Sequence, residues 1–294
     1  MRTRFAPSPT GPLHLGHAFS ALTAWDLARC AQGEFVLRIE DIDQSRSRPE
    51  WEAQIYEDLR WLGLFWPRPV MRQSERLAAY RAALQRLWSQ GLLFVCTCSR
   101  RDIETALSAP QEGAIPPPGP RHGPDGPVYP GTCRERGRPH PGDPLPQEAV
   151  LRLDIARAVA GLSRLHYLET GQGPQGETGT IDITPTRLCT EIGDIVLARQ
   201  GMGTSYHLSV VVDDAAQGIT HIVRGQDLFA ATAIHRLLQT LLDLPAPIYH
   251  HHRLLRDEEG RRLAKRDDAR AIRLYRAEGL SPAALRQMVG RAAP

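Results

Sequence analysis

A chain of 294 residues with 41% hydrophobic and 23% charged residues has room for one large domain or two modest ones, and this composition excludes wholesale disorder. Its 36 basic and 33 acidic residues leave a formal net charge of +3, which allows a nucleic-acid partner only through a local patch. Five cysteines, no apolar signal core and no apolar run of membrane-spanning length argue against a disulfide framework and a membrane span, so a reduced, cytoplasmic setting is expected.

In chain order, residues 3–9 predict a first strand, stopped where Pro7, Pro9 and Pro12 forbid regular pairing. From Gly16 the spacing of Ala18, Leu22, Trp25, Leu27 and Ala28 predicts a helix over 16–32, closed by Gly33. "EFVLRIED" (34–41) predicts a second strand. Residues 49–63 predict a helix entered at Pro49 and left at Gly63, and 74–91 another with Ser74 as its cap. Alternation on this scale predicts an α/β layer with a parallel sheet.

Half of the 24 prolines fall between Pro110 and Pro146, so no helix or central strand is expected there. A surface insertion or linker over 110–127 fits this stretch, flanked by Cys96, Cys98, Tyr129 and Cys133. Regular structure resumes with a strand at 149–155. Residues 193–225 predict two strands around Gly201–Gly203, a turn at 213–218 and a further strand. An amphipathic helix is expected over 227–244, a strand at "IYHHHRLL", a charged loop, and a last helix from Ser281–Pro282 to Gly290. Cys30 and Cys189 are expected in the core, and the three histidines at 250–252 need bind nothing.

Helix 16–32 carries the first chemical signal. Gly16 and His17 in its first turn put orphan backbone N–H groups and the positive end of the helix dipole beside His14 and His17, a setting suited to polyphosphate. Gly16 lets a flat ring approach the backbone. His-x-Gly-His alone is equally a helix cap.

"RFAPSPTGPLHLGH" followed by "LRIEDID" at 37–43 resembles the catalytic core of the class I glutamyl- and glutaminyl-tRNA synthetases. "YHLSVVVDD" (206–214), "HIVRGQDL" (221–228) and "RLAKR" (262–266) continue the resemblance in the same order, so it covers nearly the whole chain. It implies a Rossmann-like catalytic domain split by a smaller inserted domain that faces tRNA. The divisions expected are 1–95 and 191–260 for the two catalytic halves, 96–190 for the insertion, and 261–294 for a lysine-signature loop with a short helical segment.

By this resemblance His14 and His17 stabilise the phosphates of ATP during adenylation, Gly16 joins them in binding ATP, and Lys265 holds the leaving phosphates. The loop keeps that lysine alone: Arg262, Ala264 and Arg266 depart from the family pattern, although Arg266 can also grip phosphate. Mg²⁺ is expected with ATP. Arg4, Ala6, Ser8, Glu40, Tyr206 and Arg224 carry over as the glutamate pocket, with arginines for carboxylate and Glu40 for the ammonium group. Without the resemblance, Lys265 is a solvated loop charge, Glu40 a strand-end turn and Arg224 a surface charge.

The three thiols Cys96, Cys98 and Cys133 can hold zinc, which takes four ligands. His122 and His140 are candidates for the fourth by ordinary preference. The resemblance points instead to Tyr129, and buried free thiols remain the alternative. About thirty residues follow Lys265, fewer than anticodon-reading members of the family carry. Together with the Tyr-containing cluster this resembles the family's truncated paralogues. They activate L-glutamate without tRNA and transfer it to the cyclopentene-diol of queuosine in tRNA(Asp). A minimal synthetase charging an acceptor end, or a non-catalytic tRNA-binding relic, are the other readings. A monomer is expected.

Overall fold

The computed structural model describes residues 1–108, 122–256 and 270–291. Strand β1 (Arg2–Phe5) runs into helix α1 (Leu15–Cys30), which crosses over to β2 (Glu34–Ile39). The two strands pair in parallel from Arg2 opposite Glu34 to Phe5 opposite Leu37. Helix α2 (Pro49–Trp61) leads to a short third parallel strand, β3 (Met71–Arg72). Gly63, at φ 80°, ends the α2 turn in a conformation that a side chain would strain.

A second layer begins after α3 (Leu77–Ser89). Strand β4 (Leu93–Cys96), helix α4 (Arg100–Ser108) and a two-residue hairpin of β5 (His122–Gly123) and β6 (Gly126–Pro127) precede β7 (Val150–Leu153). After the short α5 (Ile155–Ala158) come the antiparallel pair β8 (Leu165–Glu169) and β9 (Gly179–Ile183), then α6 (Pro185–Arg187) and β10 (Val196–Ala198). Strand β7 lies between β4 and β10, antiparallel to both.

The chain then returns to parallel structure. Helix α7 (Tyr206–Ala216), β11 (His221–Gly225), α8 (Thr232–Leu241) and β12 (Ile248–His252) follow, and β11, β12 and β8 are parallel neighbours. Strand β1 lies against β11, where the Thr220 N–H donates to the Arg2 carbonyl at 3.0 Å. The order β3-β2-β1 thus continues into β11-β12-β8, reversing direction of growth between β1 and β11. In open α/β sheets that reversal opens a crevice beyond the carboxyl ends of the strands. Helices α9 (Ile272–Ala277) and α10 (Pro282–Met288) close the chain.

Two apolar clusters hold this arrangement. One gathers α1, β1, β2 and α2 with α10, whose Leu285 is fully buried and is followed by the equally buried Val289. The other unites Tyr80 and Leu87 of α3 with Leu208 of α7 and Leu237 of α8. Each such side chain contributes about 1.5–3 kcal/mol by leaving water. Among the described residues no helix is long and apolar enough to cross a membrane.

Four expectations need correction. The second strand expected after Gly203, and residues 213–216 of the turn expected at 213–218, form α7: a continuous apolar run of β-branched residues is strand-like locally, but here His207–Val211 are buried around a helix. Ser74 caps nothing; its N–H and hydroxyl both donate to Asp41, and a 3₁₀ turn over Gln73–Arg76 delays α3 to Leu77. Cys30 and Cys189 are exposed rather than in the core. Cys30 ends α1 beyond its buried face, and Cys189 sits in a turn whose burial falls to Leu188 and Ile192. Finally α4, β8, β9 and α9 form without having been expected; their short or alternating patterns gave little periodic signal. Most of the proline-rich stretch 110–127 lies outside the described residues.

Candidate active site

A cleft of about 350 Å³ opens where β1 and β11 end. Arg4, Ala6 and Ser8 leave β1, His14, Gly16 and His17 enter α1, Glu40 follows β2, Tyr206 starts α7 and Arg224 ends β11; all line this one cleft. Lys265 and the rest of 262–266 lie outside the described residues.

His14 and His17 form the N-terminal cap of α1. The His14 ring accepts the Gly16 N–H through Nδ1 at 3.1 Å, and the His17 ring accepts the His14 N–H through Nδ1 at 3.2 Å. Two orphan donors of the first turn are thereby satisfied. A neutral ring that accepts through Nδ1 carries its proton on Nε2. The cap therefore fixes both histidines as Nε2–H donors, their rings tilted by 36° with centroids 3.8 Å apart. Capping and phosphate handling, alternatives at the level of the tetrapeptide, are compatible uses of opposite edges of the same rings.

Beneath the cleft lies an ionic network with almost no exposure. Asp214 accepts from Arg4 Nε at 3.0 Å and from Arg38 Nη1 at 2.7 Å, and Arg38 Nη2 reaches Glu40 at 3.2 Å. Burial raises the Asp214 carboxyl, but the two guanidinium groups outweigh it and hold the group below its ordinary range. Glu40 is the reverse case: burial wins over Arg38 and Arg4 and pushes its carboxyl up. Burial likewise raises the Tyr206 phenol. Neighbouring Asp213 lies 4.0 Å from Arg38 Nε and accepts from Gln73, Arg76 and Tyr80.

Arg224 is 5% exposed. Its Nε donates to His251, one Nη1–H to His235, and Nη2 to Leu228 O and Thr232 Oγ1. Of five guanidinium N–H groups, described residues take four. Arg4 gives two to Asp214 and one to Val223 O, which leaves two. Sequence reasoning missed Arg38, Asp214 and these histidines as parts of the site. "VVDD" was visible, but nothing local paired it with arginines some two hundred positions away.

Cys96, Cys98 and Cys133 converge at a second place, their Sγ atoms all within 4.8 Å of one another. The Tyr129 hydroxyl stands 3.5 Å from Cys96 Sγ and 3.4 Å from Cys98 Sγ. Tetrahedral zinc with sulfur at about 2.3 Å separates its ligands by about 3.8 Å, so three sulfurs and one oxygen fit it. Burial raises the Cys133 thiol, but hydrogen bonds from Tyr129 and Arg136 overcome this and hold it at about 5, favouring the thiolate that zinc requires. Neither His122 nor His140 joins the group.

Compared with known proteins, residues 1–117 and 177–293 match the family described as tRNA synthetases class I (E and Q), catalytic domain. The glutamyl-Q tRNA(Asp) synthetase of Rhodobacter capsulatus is 60% identical, the alignment covering 99% of this chain and 100% of the relative. That of Symbiobacterium thermophilum is 41% identical over 95% of this chain and 82% of its own. A glutamate–tRNA ligase of Synechococcus is 38% identical, but the chain spans only 56% of its length. Among solved structures, a glutamate tRNA ligase from Elizabethkingia meningosepticum in complex with its amino acid superposes with a TM-score of 0.73 at 26% identity. It covers 98% of this chain and 60% of that one.

Proposed function

The chain is a ligase of the class I tRNA synthetase (E and Q) family, and from that premise we propose that it activates L-glutamate with ATP and transfers it to queuosine in tRNA(Asp). The observation that carries the amino-acid half is the convergence of Arg4, Ala6, Ser8, Glu40, Tyr206 and Arg224 with His14, Gly16 and His17 on one cleft. The 60% identity to a glutamyl-Q tRNA(Asp) synthetase along its whole length supports the acceptor.

The first step joins a glutamate carboxylate oxygen to the α-phosphorus of ATP and breaks the bond to pyrophosphate. Catalysis here is alignment and neutralisation of charge. Nε2–H of His14 and His17 donates to phosphate oxygens, Gly16 lets the nucleotide lie close, and Lys265 receives the leaving pyrophosphate. Mg²⁺, arriving with ATP, would supply further neutralisation of the phosphates. With two N–H groups remaining, Arg4 holds a carboxylate through both oxygens, whereas Arg224 adds one N–H. Glu40 takes the ammonium group. In the second step a cis-diol hydroxyl of queuosine attacks the glutamyl carbonyl, AMP leaves, and the hydroxyl proton departs with it. Zinc on Cys96, Cys98, Tyr129 and Cys133 would cross-link the segment around 129–133 to β4.

Activation proceeds without tRNA on this reading, so glutamate-dependent ATP–pyrophosphate exchange is expected from the protein alone. The decisive experiment transfers labelled glutamate onto bulk tRNA from cells with and without queuosine. Label on queuosine-containing tRNA alone is expected. Equal label on both would overturn the reading in favour of acceptor-end charging, and no exchange or label would leave a non-catalytic tRNA binder.

A further inference from the structure

Behind the amino-acid pocket a line of buried polar groups extends on both sides of Arg224. Through α8 and α7, Arg224 Nη1 meets His235 Nδ1 at 2.9 Å, His235 Nε2 meets His207 Nδ1 at 3.0 Å, and His207 Nε2 meets Asp125 Oδ1 at 2.8 Å. On the other side Arg224 Nε meets His251 Nε2 at 3.1 Å, and His251 Nδ1 meets Glu169 Oε2 at 2.5 Å. The Glu169 Oε1 atom accepts the backbone N–H groups of Gly171 and His251. His207, His235, His251 and Glu169 are at most 5% exposed.

The chemistry of an arginine gives this line a direction. A guanidinium only donates, so His235 receives through Nδ1 and, as a neutral ring, holds its proton on Nε2. That proton can go only to His207 Nδ1, which puts the His207 proton on Nε2, facing the Asp125 carboxylate. The same logic makes His251 an acceptor at Nε2 and a donor at Nδ1, facing Glu169. Every hydrogen bond points away from Arg224, and each arm ends on an anion. Reversing one ring would leave two lone pairs or two N–H groups facing each other in a buried space, which is costly.

Only Asp125 lies outside the parallel layer. It sits in the turn between β5 and β6, four residues before Tyr129, and its side chain is 45% exposed. Gly123 of that hairpin touches the 188–192 segment so closely that a Cβ would come within 2.6 Å of Glu191 O. The hairpin is thus seated on one side by a glycine contact and tied on the other through His207.

We propose that Asp125, His207, His235, His251 and Glu169 are positioning residues that orient Arg224 toward the amino-acid substrate, Asp125 coupling the β5–β6 hairpin to the pocket. The assignment rests on the glutamate reading of the cleft. A positioned Arg224 presents its one remaining N–H at a fixed angle; released from His235, it would tilt and share that N–H among other acceptors.

Asp125→Ala and Asp125→Asn in the full chain test this by exchange kinetics and thermal melting. Asp125→Ala is expected to raise KM for glutamate about three- to tenfold, the factor carried by one lost hydrogen bond, with KM for ATP unchanged and the melting temperature lowered by no more than about a few degrees. Asp125→Asn keeps an accepting oxygen and is expected to restore KM to within about twofold of the parent. An unchanged KM for glutamate in Asp125→Ala, or an Asn variant as impaired as Ala, overturns the proposal. A second measurement needs no substrate: long-range ¹H–¹⁵N correlation of the histidine rings. Nε2–H forms of His207 and His235 are expected, and an Nδ1–H form of either overturns the relay. Wild-type protein without glutamate-dependent exchange but with those tautomers would overturn the glutamate reading and leave the directed line standing.

Discussion

His14 and His17 cap the same helix through reciprocal bonds, each ring using Nδ1 on a backbone N–H and so presenting Nε2–H on its other edge. Capping and chemistry can therefore be separated by substitution. Asn and Ala differ at His14 because Asn caps well and Ala does not. His14→Asn is expected to keep stability within a few tenths of a kcal/mol while exchange falls about 10²- to 10³-fold. His14→Ala should lose both, with about 1 kcal/mol of stability. Thermal melts beside exchange rates check this; normal exchange in His14→Asn would remove the phosphate role.

Asp214 binds two buried guanidinium groups at once. Asp214→Asn is expected to cost about 3–5 kcal/mol at neutral pH, because Arg4 and Arg38 lose their shared anion. The carboxyl is held below its ordinary range, so its contribution is complete above the unfolded value near 4 and fades as pH falls through the lower folded value. Urea unfolding at pH 7 and at successively lower pH should show the deficit of the variant shrinking in acid. A constant deficit would contradict the ionic assignment.

Asp58 has the opposite sign. It is fully buried in α2, neither oxygen is hydrogen-bonded within the described residues, and Arg276 stands 3.6 Å away. Burial outweighs Arg276 and pushes the carboxyl up to about 6. Its stabilisation is thus complete below about 4 and lost as pH rises through about 6. Asp58→Asn is expected to be more stable than the parent at pH 8 by about 1–2 kcal/mol, a value reduced for solvent screening of Arg276, and equal to it near pH 4. Melting temperatures at the two pH values decide the matter.

The thiol cluster predicts about one zinc per chain in protein prepared without chelator. Cys133→Ser should abolish binding and lower the melting temperature. Tyr129→Phe keeps three sulfurs and the ring packing, so it should retain zinc that chelators strip faster. Elemental analysis before and after dialysis against chelator measures both, and a metal-free parent would exclude the site.

The β1-α1-β2 opening was legible because its patterns are local: a strand broken by prolines, an apolar stripe at helical spacing, a glycine stop. The candidates on the cleft rim were legible through motifs whose order follows the strands. Val210–Val212 misled because β-branched residues in a buried helix look like a strand from sequence alone. The support behind the rim was not legible at all. Arg38 finds Asp214 across 176 positions and His251 finds Glu169 across 82, and no window on the chain contains both members of either pair. Of the adjacent histidines 250–252, His251 serves Arg224, whereas His252 Nε2 meets Ser20 Oγ at 2.6 Å on the wall of the cleft.

The distance between Arg38 and Asp214 along the chain also sets a clock. A ribosome adding about 5–20 residues each second needs roughly 9–35 s to travel the 176 positions that separate them. Throughout that interval the nascent β1-α1-β2 unit can pair its backbone, yet Arg38 has only Glu40 beside it, and neither Arg4 nor Arg38 has the shared Asp214 carboxylate that offsets its burial. The first half of the cleft must wait, hydrated and unsealed, for α7 to emerge. Birth of the amino-acid pocket is therefore a late event in synthesis, although four of its six proposed residues lie within residues 4–40, well before α7.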